Sequence, residues 1–278
     1  MPFPIILSAL FFCILSSNAV AEEIDLINRP INSTGLTGLV STTMPQTLSN
    51  RTFETGLMLT SENSFKPDYS LTSSSLLIGY GIGRNKEIAL HASYWHRQDA
   101  DLSSFRGSGD TELSFKWNVR PQEERSVKPG IALFATGILP TGDRDAGTNV
   151  VEHWGMRFGI AIGSEIEWQD YVFGAYADYQ YALQDLSDDQ YRDQYQLLNI
   201  GLLMPISKYR NLQLLIEYNR MDGRDQPTLH EVDYSAMTYG LRLVSERFNL
   251  TVGAQFLHKA PEGYGDSTQI TGMLSVKL

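Results

Sequence analysis

Histidine is the residue type in this chain that most readily does chemistry, and it occurs at five positions: His91, His96, His153, His230 and His258. His91 and His96 lie five residues apart, which places them on opposite faces of an extended strand. No two histidines have the spacing of zinc ligands on one element. The arrangement closest to a catalytic pair is His91 with Ser93 two residues later. Both residues lie on the same strand face as Glu87 and Trp95.

Cysteine and net charge exclude further classes of site. The one cysteine, Cys13, lies in an apolar N-terminal run, so a chain without that run has no disulfide, zinc-thiolate site or cysteine nucleophile. The formal net charge is −10, the pI is about 5.0, and no basic stripe is present. We therefore predict no catalytic residue, no metal site, no cofactor and no nucleic-acid partner.

The charged residues follow a strict alternation along the chain. In the stretch 109–120, Glu112 and Lys116 alternate with Leu113, Phe115 and Trp117. A period of two places the charges on one face of a strand and the apolar residues on the other.

This pattern recurs from Arg51 to the end of the chain. The strand candidates are 52–60, 70–83, 87–97, 109–120, 129–139, 156–165, 171–183, 194–204, 211–220, 234–244, 248–258 and 267–278. Short turns and longer polar stretches alternate between them, and strands of about ten residues suit a bilayer. The sequence therefore predicts an all-β fold, a transmembrane antiparallel up-and-down β-barrel of about 12 strands.

The N-terminal 50 residues differ from the rest. Residues 1–21 combine an apolar run at 4–16 with Ala19 and Ala21 before a predicted cleavage point, which is typical of a signal peptide. Residues 22–50 have little periodicity, and we expect an N-terminal periplasmic or plug-like segment there. Within it, 35–40 is either a short strand or a piece tucked into something larger. The barrel is expected to span 51–278.

Acidic residues concentrate on one side of the predicted barrel. The predicted outer loops contain Asp99, Asp101, Asp143, Asp145, Glu152, Asp185, Asp188, Asp189, Asp193, Asp222, Asp225, Glu231 and Asp233. Such a rim would attract cations or bind lipopolysaccharide through divalent ions, or it is simply a solvated acidic surface. Outer-membrane lipid and lipopolysaccharide are therefore expected partners.

The last strand alternates up to its end but finishes on Leu278. Outer-membrane barrels commonly finish on an aromatic residue that the assembly machinery reads. We expect that machinery as a partner, and Leu278 departs from its pattern.

Charged residues of both signs fall on the predicted inward face. The lumen-lining candidates are Glu87, His91, Arg97, Glu112, Lys116, Arg120, Arg157, Asp178, Glu217 and Arg242. Charges away from bulk water must pair, so these residues either form ion pairs that fill a narrow barrel or line a permeation path. A barrel of this strand number has a slim lumen, which residues 22–50 could also occupy.

Three short stretches within about 70–145 resemble a known family. They are Gly79-Tyr80-Gly81-Ile82 with Glu87-Ile88-Ala89-Leu90, then Gly107-Ser108-Gly109-Asp110 with Leu113, Phe115, Lys116 and Trp117, and then Leu139-Pro140-Thr141-Gly142-Asp143. Together they are similar to motifs of the "MetA-pathway of phenol degradation" family of outer-membrane proteins. The resemblance implies a transporter of organic compounds, akin to fatty-acid and aromatic-hydrocarbon channels.

We therefore expect a protein of the cell outer membrane that is not an enzyme. The first functional hypothesis is a channel for passive uptake of small organic solutes, including aromatic or otherwise apolar ones. The second is a structural or surface-interaction barrel with a filled lumen. The third is an outer-membrane hydrolase that uses Ser93.

Overall fold

The structure is a computed structural model and describes residues 29–65, 68–99, 104–122, 128–143, 154–168, 171–184, 194–206, 211–223, 234–259 and 267–278. The expected signal peptide at 1–21, residues 22–28 of the expected plug-like segment and most of the acidic loop residues lie outside these ranges. Among the described residues, no helix is long and apolar enough to cross a membrane.

The described residues, whose apolar and polar side chains alternate with a period of two, form thirteen strands. They are β1 Phe53–Phe65, β2 Asp68–Ile82, β3 Lys86–Asp99, β4 Ser104–Ser108, β5 Thr111–Arg120, β6 Gly130–Leu139, β7 Gly155–Trp168, β8 Tyr171–Gln184, β9 Gln194–Pro205, β10 Leu212–Gly223, β11 Tyr234–Val244, β12 Phe248–Lys259 and β13 Ser267–Lys277. Neighbouring strands pair antiparallel, and β1 pairs with both β2 and β13. The sheet therefore closes on itself, and among the described strands only the short β4 has a single partner, β3.

The barrel wall is twelve strands wide, because β4 and β5 share one place in it. Both pair with β3: β4 with the stretch 94–98, and β5 with the stretch 86–91. Gly109 and Asp110 separate the two pieces. The prediction of an antiparallel barrel of about 12 strands is confirmed.

Two predicted loops are partly strand. The stretch 61–69 was expected to be a polar connection, yet β1 continues to Phe65 and β2 begins at Asp68, with Glu62 opposite Leu71. The expected loop 98–108 contains β4. Where strands project beyond the apolar belt, both of their faces are solvated. Backbone pairing continues there, but the sequence lacks the apolar alternation that marks a strand.

The outward face of the wall is apolar. Leu57 and Leu59 on β1 keep 63% and 62% of their surface exposed, and Leu113 and Leu241 keep 54% and 51%. In a closed barrel these side chains have no protein neighbour to bury them, so they need an apolar surrounding. The outward residues therefore form the lipid-facing belt that the alternation predicts.

The core of the molecule lies inside the barrel. Residues 29–50, which we call the inner segment, contribute to all three buried apolar clusters. Leu39, Val40 and Met44 pack in one cluster, Ile31 and Leu48 in the second, and Leu36 in the third. The partners come from the inward face of the wall, for example Tyr176, Met58 and Phe134.

Candidate functional site inside the barrel

The inner segment is almost entirely covered by the wall. Of residues 29–48, only Ser33, Thr34 and Ser41 retain appreciable solvent exposure. The segment contains two isolated bridges, between Ile31 and Thr37 and between Gly38 and Thr43, and no regular strand. Most of its backbone polar groups must therefore find partners outside regular secondary structure.

Small residues on the inward face give the segment room. At Gly81, a Cβ atom would come within 2.0 Å of the carbonyl oxygen of Ser49. At Gly201, a Cβ atom would come within 2.3 Å of the Leu39 side chain. Glycine is required at Gly81 because the approach is from backbone, which cannot swing aside as a side chain end can.

Glu87 binds the middle of the inner segment. One carboxylate oxygen accepts the backbone N–H of Thr37 at 2.5 Å. The other oxygen accepts the Thr37 hydroxyl at 2.7 Å and the backbone N–H of Leu48 at 2.9 Å. Since Glu87 is fully buried, these bonds supply the contacts that water would otherwise make.

Two further carboxylates from the opposite part of the wall bind the next turn of the segment. Glu217 accepts the backbone N–H groups of Ser41 at 3.1 Å and Thr42 at 2.8 Å. Asp178 accepts the N–H of Thr43 at 2.7 Å and is itself bonded by Asn199. Three consecutive backbone donors thus end on two buried carboxylates.

Two buried cations bind carbonyl groups of the same segment. Lys116 Nζ donates to the carbonyls of Thr37 and Met44 at 3.1 and 3.3 Å, and lies 3.4 Å from Glu87. Arg242 Nη2 donates to the carbonyls of Gly38 and Leu39 at 3.1 and 2.8 Å. Wall carboxylates therefore accept the N–H groups of the segment, and wall cations donate to its carbonyls, as a carboxylate only accepts and a cation only donates.

The described N-terminal part of the segment is attached at two more acids. Arg29 makes a two-pronged pair with Glu165, at 2.8 and 2.7 Å, and Glu165 also accepts the hydroxyl of Tyr176. Glu54 lies 3.4 Å from the N–H of Ile31 and is bonded by Ser275 and Asn249. A bidentate arginine–carboxylate pair fixes the orientation of the Arg29 side chain as well as its position.

The ten residues proposed from the sequence fall into three groups. Five contact the inner segment: Glu87, Lys116, Asp178, Glu217 and Arg242. Three form a cluster on the long-loop side of the segment: Glu112, Arg157 and His91. Two are exposed at the barrel ends, Arg97 over the ring of Tyr69 at 4.6 Å and Arg120 on the carbonyl of Pro129.

Sequence reasoning missed Glu54 and Glu165 and the cation Arg29. Glu54 shares its inward phase with Met58 on β1, and Glu165 lies at the same phase as Arg157 on β7. The alternation would have selected both acids. Arg29 lies outside any alternating stretch, so no such signal was available for it.

The serine–histidine pair does not assemble as a nucleophile and base. The Ser93 hydroxyl accepts a hydrogen bond from the Trp95 indole N–H at 2.7 Å. Neither ring nitrogen of His91 has a hydrogen-bond partner among the described residues, and the nearest carboxylate oxygen, on Glu112, is 3.8 Å from Nδ1. Activation of a serine needs a direct bond to the base, so this geometry gives the hydrolase hypothesis no support.

A space remains on the long-loop side of the inner segment. Ser33 and Thr34 form part of its lining, and the wall contributes the cluster of Glu112, Arg157 and His91. Its volume is about 260 Å³. We call it the outer cavity.

Comparison with known proteins finds likeness in fold but not in sequence. No family model matches the chain, and no curated protein matches it. The resemblance to the "MetA-pathway of phenol degradation" family therefore stays a prediction.

Several solved structures share the fold. The COG4313 outer membrane channel from Pseudomonas putida F1 aligns over 86% of this chain and 100% of its own, with 12% identity and a TM-score of 0.66. The NanC porin aligns over 80% of this chain and 100% of its own, with 10% identity and a TM-score of 0.55. The beta domain of the Bordetella autotransporter BrkA aligns over 82% and 99%, with 11% identity and a TM-score of 0.52.

At these identities the likeness concerns the fold alone. The fold is that of Gram-negative outer-membrane β-barrels, and this chain has the apolar outward belt that such barrels need. Together these place the chain in the outer membrane.

Proposed function

We propose that the chain is an outer-membrane channel for passive uptake of small organic solutes, closed by its own inner segment. The observation that carries the proposal is the set of wall carboxylates and cations, led by Glu87, Glu217 and Arg242, that bind the segment across the lumen. A permanently filled barrel could use large side chains of its own wall for this purpose. Here the filling is a separate stretch of chain.

Water supports the open state of such a channel. If the inner segment leaves, the wall groups that bound it lose their partners, but water enters the lumen and solvates them. The charges that would be costly in a dry interior therefore do not oppose opening. The same polar wall then lines a path that hydrated solutes can follow.

The solute preference stays a prediction. Passive uptake of organic compounds is what the family resemblance implies, including aromatic or apolar ones. The expected partners are outer-membrane lipid, lipopolysaccharide at the loop side and the barrel assembly machinery. No cofactor enters the mechanism.

The second candidate is a structural or surface-interaction barrel whose lumen is always filled. One observation favours it: the inner segment packs into three apolar clusters with the wall, as a permanent core does. The two candidates differ in whether the segment ever leaves.

Conductance in a planar bilayer separates them. We expect brief openings for the refolded full-length protein and long, steady steps after deletion of residues 22–50. Adding a synthetic peptide of residues 22–50 should block the truncated form again. Heat-dependent gel mobility would show that both forms are folded.

The absence of any single-channel current in both folded forms would refute the channel proposal and favour the filled barrel. Identical steady steps in both forms would refute closure by the inner segment.

A further inference from the structure

We propose that the outer cavity binds an uncharged, hydroxyl-bearing ring of about the size of a monosaccharide. The inference rests on the proposed channel function. Among the organic solutes that the family resemblance implies, it selects hydroxylated rings over wholly apolar ones. It is carried by the size, charge and hydrogen-bonding groups of the cavity.

The size of the cavity suits one substituted ring. A cavity of about 150 Å³ holds benzene, and drug-sized ligands occupy roughly 300–1,000 Å³. The outer cavity, at about 260 Å³, lies between these limits. The outer cavity therefore has room for about one substituted ring.

The charge of the lining disfavours anions. The charged groups on the cavity wall are Glu62, Glu112 and Arg157. Arg157 is paired with Glu112, so its positive charge is already neutralised. With two carboxylates against one guanidinium, an anionic solute gains no net attraction and meets a surplus of negative charge.

The lining disfavours a cation less strongly than an anion, but both of its carboxylates already accept hydrogen bonds from protein groups. Glu112 accepts a hydrogen bond from Arg157, and Glu62 accepts the hydroxyl of Tyr69 at 2.9 Å. A cationic solute would compete with both partners. An uncharged solute disturbs neither pair.

Uncharged hydroxyl groups dominate the remaining polar lining. Six hydroxyls and one amide face the cavity, from Ser33, Thr34, Thr60, Ser73, Ser75, Ser93 and Gln269. A hydroxyl both donates and accepts. Such a lining matches a solute with several hydroxyl groups, which donate and accept in the same way.

His91 adds two ring nitrogens that form no hydrogen bond with the described residues, although Nδ1 lies 3.8 Å from the carboxylate of Glu112. A neutral imidazole offers one donor and one acceptor. Buried polar atoms without partners are costly. A hydroxylated solute in the outer cavity would satisfy them.

Trp95 supplies an apolar ring of defined orientation. Its indole N–H donates to Ser93 at 2.7 Å, and both residues line the cavity together with Met58 and Leu71. Gly109 packs behind this pair, since a Cβ atom there would lie 2.3 Å from Ser93 Oγ and 2.4 Å from Trp95 Nε1. The C–H face of a hydroxylated ring can therefore stack on a rigid aromatic surface while its edge meets hydroxyls.

Binding to the full-length protein in detergent tests the proposal without requiring flux. The probes are methyl β-D-glucopyranoside, the anion glucuronate, the cation glucosamine and the apolar ring compound cyclohexylmethanol. We expect saturable binding of the glucoside, with each of the other three at least about tenfold weaker, a difference of about 1.4 kcal/mol. Isothermal titration calorimetry would measure all four.

Variants locate the site. Trp95→Leu should weaken glucoside binding about tenfold or more, and Trp168→Leu, which changes an outward-facing tryptophan that is 63% exposed, should leave it unchanged. Ser73→Ala with Ser75→Ala provides a second test if Trp95→Leu does not fold, and should also weaken binding.

Several outcomes would overturn the proposal. They are the absence of saturable glucoside binding, tighter binding of glucuronate, glucosamine or cyclohexylmethanol, and glucoside binding that the variants leave unchanged. A silent channel that still binds the glucoside would refute the proposed conduction alone. A conducting channel without glucoside binding would refute only this site.

Discussion

At the scale of single residues, the interior is organised by one rule of complementarity. Buried carboxylates accept the backbone N–H groups of the inner segment, and buried cations donate to its carbonyls. Hydrogen bonds that involve a charged group contribute roughly 1.5–3 kcal/mol each. Water can replace the segment at each of these charged groups. The hydrogen bonds therefore stabilise the closed state but do not prevent the segment from leaving.

Glu217→Gln tests this rule at one acceptor. The carboxamide oxygen can still accept both N–H groups in place of Oε1, but these bonds lose the charge of their acceptor. The N–H₂ group replaces Oε2, so Ser41 also loses its second acceptor, which lies at 3.2 Å. We expect the closed state to lose about 2 kcal/mol, which raises the ratio of open to closed time about thirtyfold. Single-channel recording measures this ratio directly.

The matched control is Glu246→Gln, the same change at an exposed position in the turn 245–247. It should leave gating unchanged. Equal open probability in the Glu217 variant and the unchanged protein would mean that Glu217 does not hold the segment.

At the scale of elements, the strands were predictable because a membrane imposes two different solvents on the two faces of one sheet. The alternation of Leu113 and Phe115 with Glu112 and Lys116 on β5 reports these solvents directly. The extension of β1 to Phe65 was not predictable, since Ser61 to Ser64 carry no alternation. Backbone pairing alone continues the strand there.

The inner segment could not be read in the same way. Its partners are side chains of many wall strands, such as Glu87 on β3 and Glu217 on β10, so no single periodicity appears in its sequence. The alternation predicted which wall residues face inward, but not what they bind. It also offered no means of finding Arg29, which pairs with Glu165 at 136 residues' separation.

Leu57→Arg tests the assignment of the outward belt. Leu57 is 63% exposed and lies between Leu76 and Leu274, both exposed and apolar. We expect a loss of about 2–4 kcal/mol in the free energy of unfolding in lipid vesicles. Urea titration followed by tryptophan fluorescence measures it.

Phe248→Arg is the control for depth. Phe248 is the first residue of β12 beside a short turn, so arginine there should cost only about 0–1 kcal/mol. Equal losses at Leu57 and Phe248 would show that the belt is not centred where the exposed leucines indicate.

At the scale of the whole molecule, the chain consists of a closed wall and an inner segment, and the proposed channel requires that this segment leaves the lumen. The wall is a closed sheet in which every described strand except the short β4 pairs with at least two neighbours, so opening it would break many backbone bonds at once. The inner segment has no regular strand and is attached largely through side chains. The channel proposal depends on movement of the segment within this wall.

A disulfide between the inner segment and the wall tests this claim most directly. A Cβ atom at Gly201 would lie 3.4 Å from Cβ of Thr42, close to the separation of about 3.5–4.5 Å in disulfides. The same atom would lie 2.3 Å from Cδ1 of Leu39, so the end of that side chain must turn aside in the variant. The variant Thr42→Cys with Gly201→Cys is clean, because Cys13 is the one cysteine of the chain and falls in the expected signal peptide. Ser114→Cys with Thr136→Cys joins two wall strands at directly opposed, hydrogen-bonded positions and serves as the control.

The measurement is the single-channel current of both variants before and after reduction. We expect that oxidised Thr42→Cys with Gly201→Cys stays closed, that reduction restores its openings, and that the wall-to-wall control opens in both states. Unchanged openings in the fully cross-linked Thr42→Cys with Gly201→Cys protein would mean that the inner segment does not close the channel.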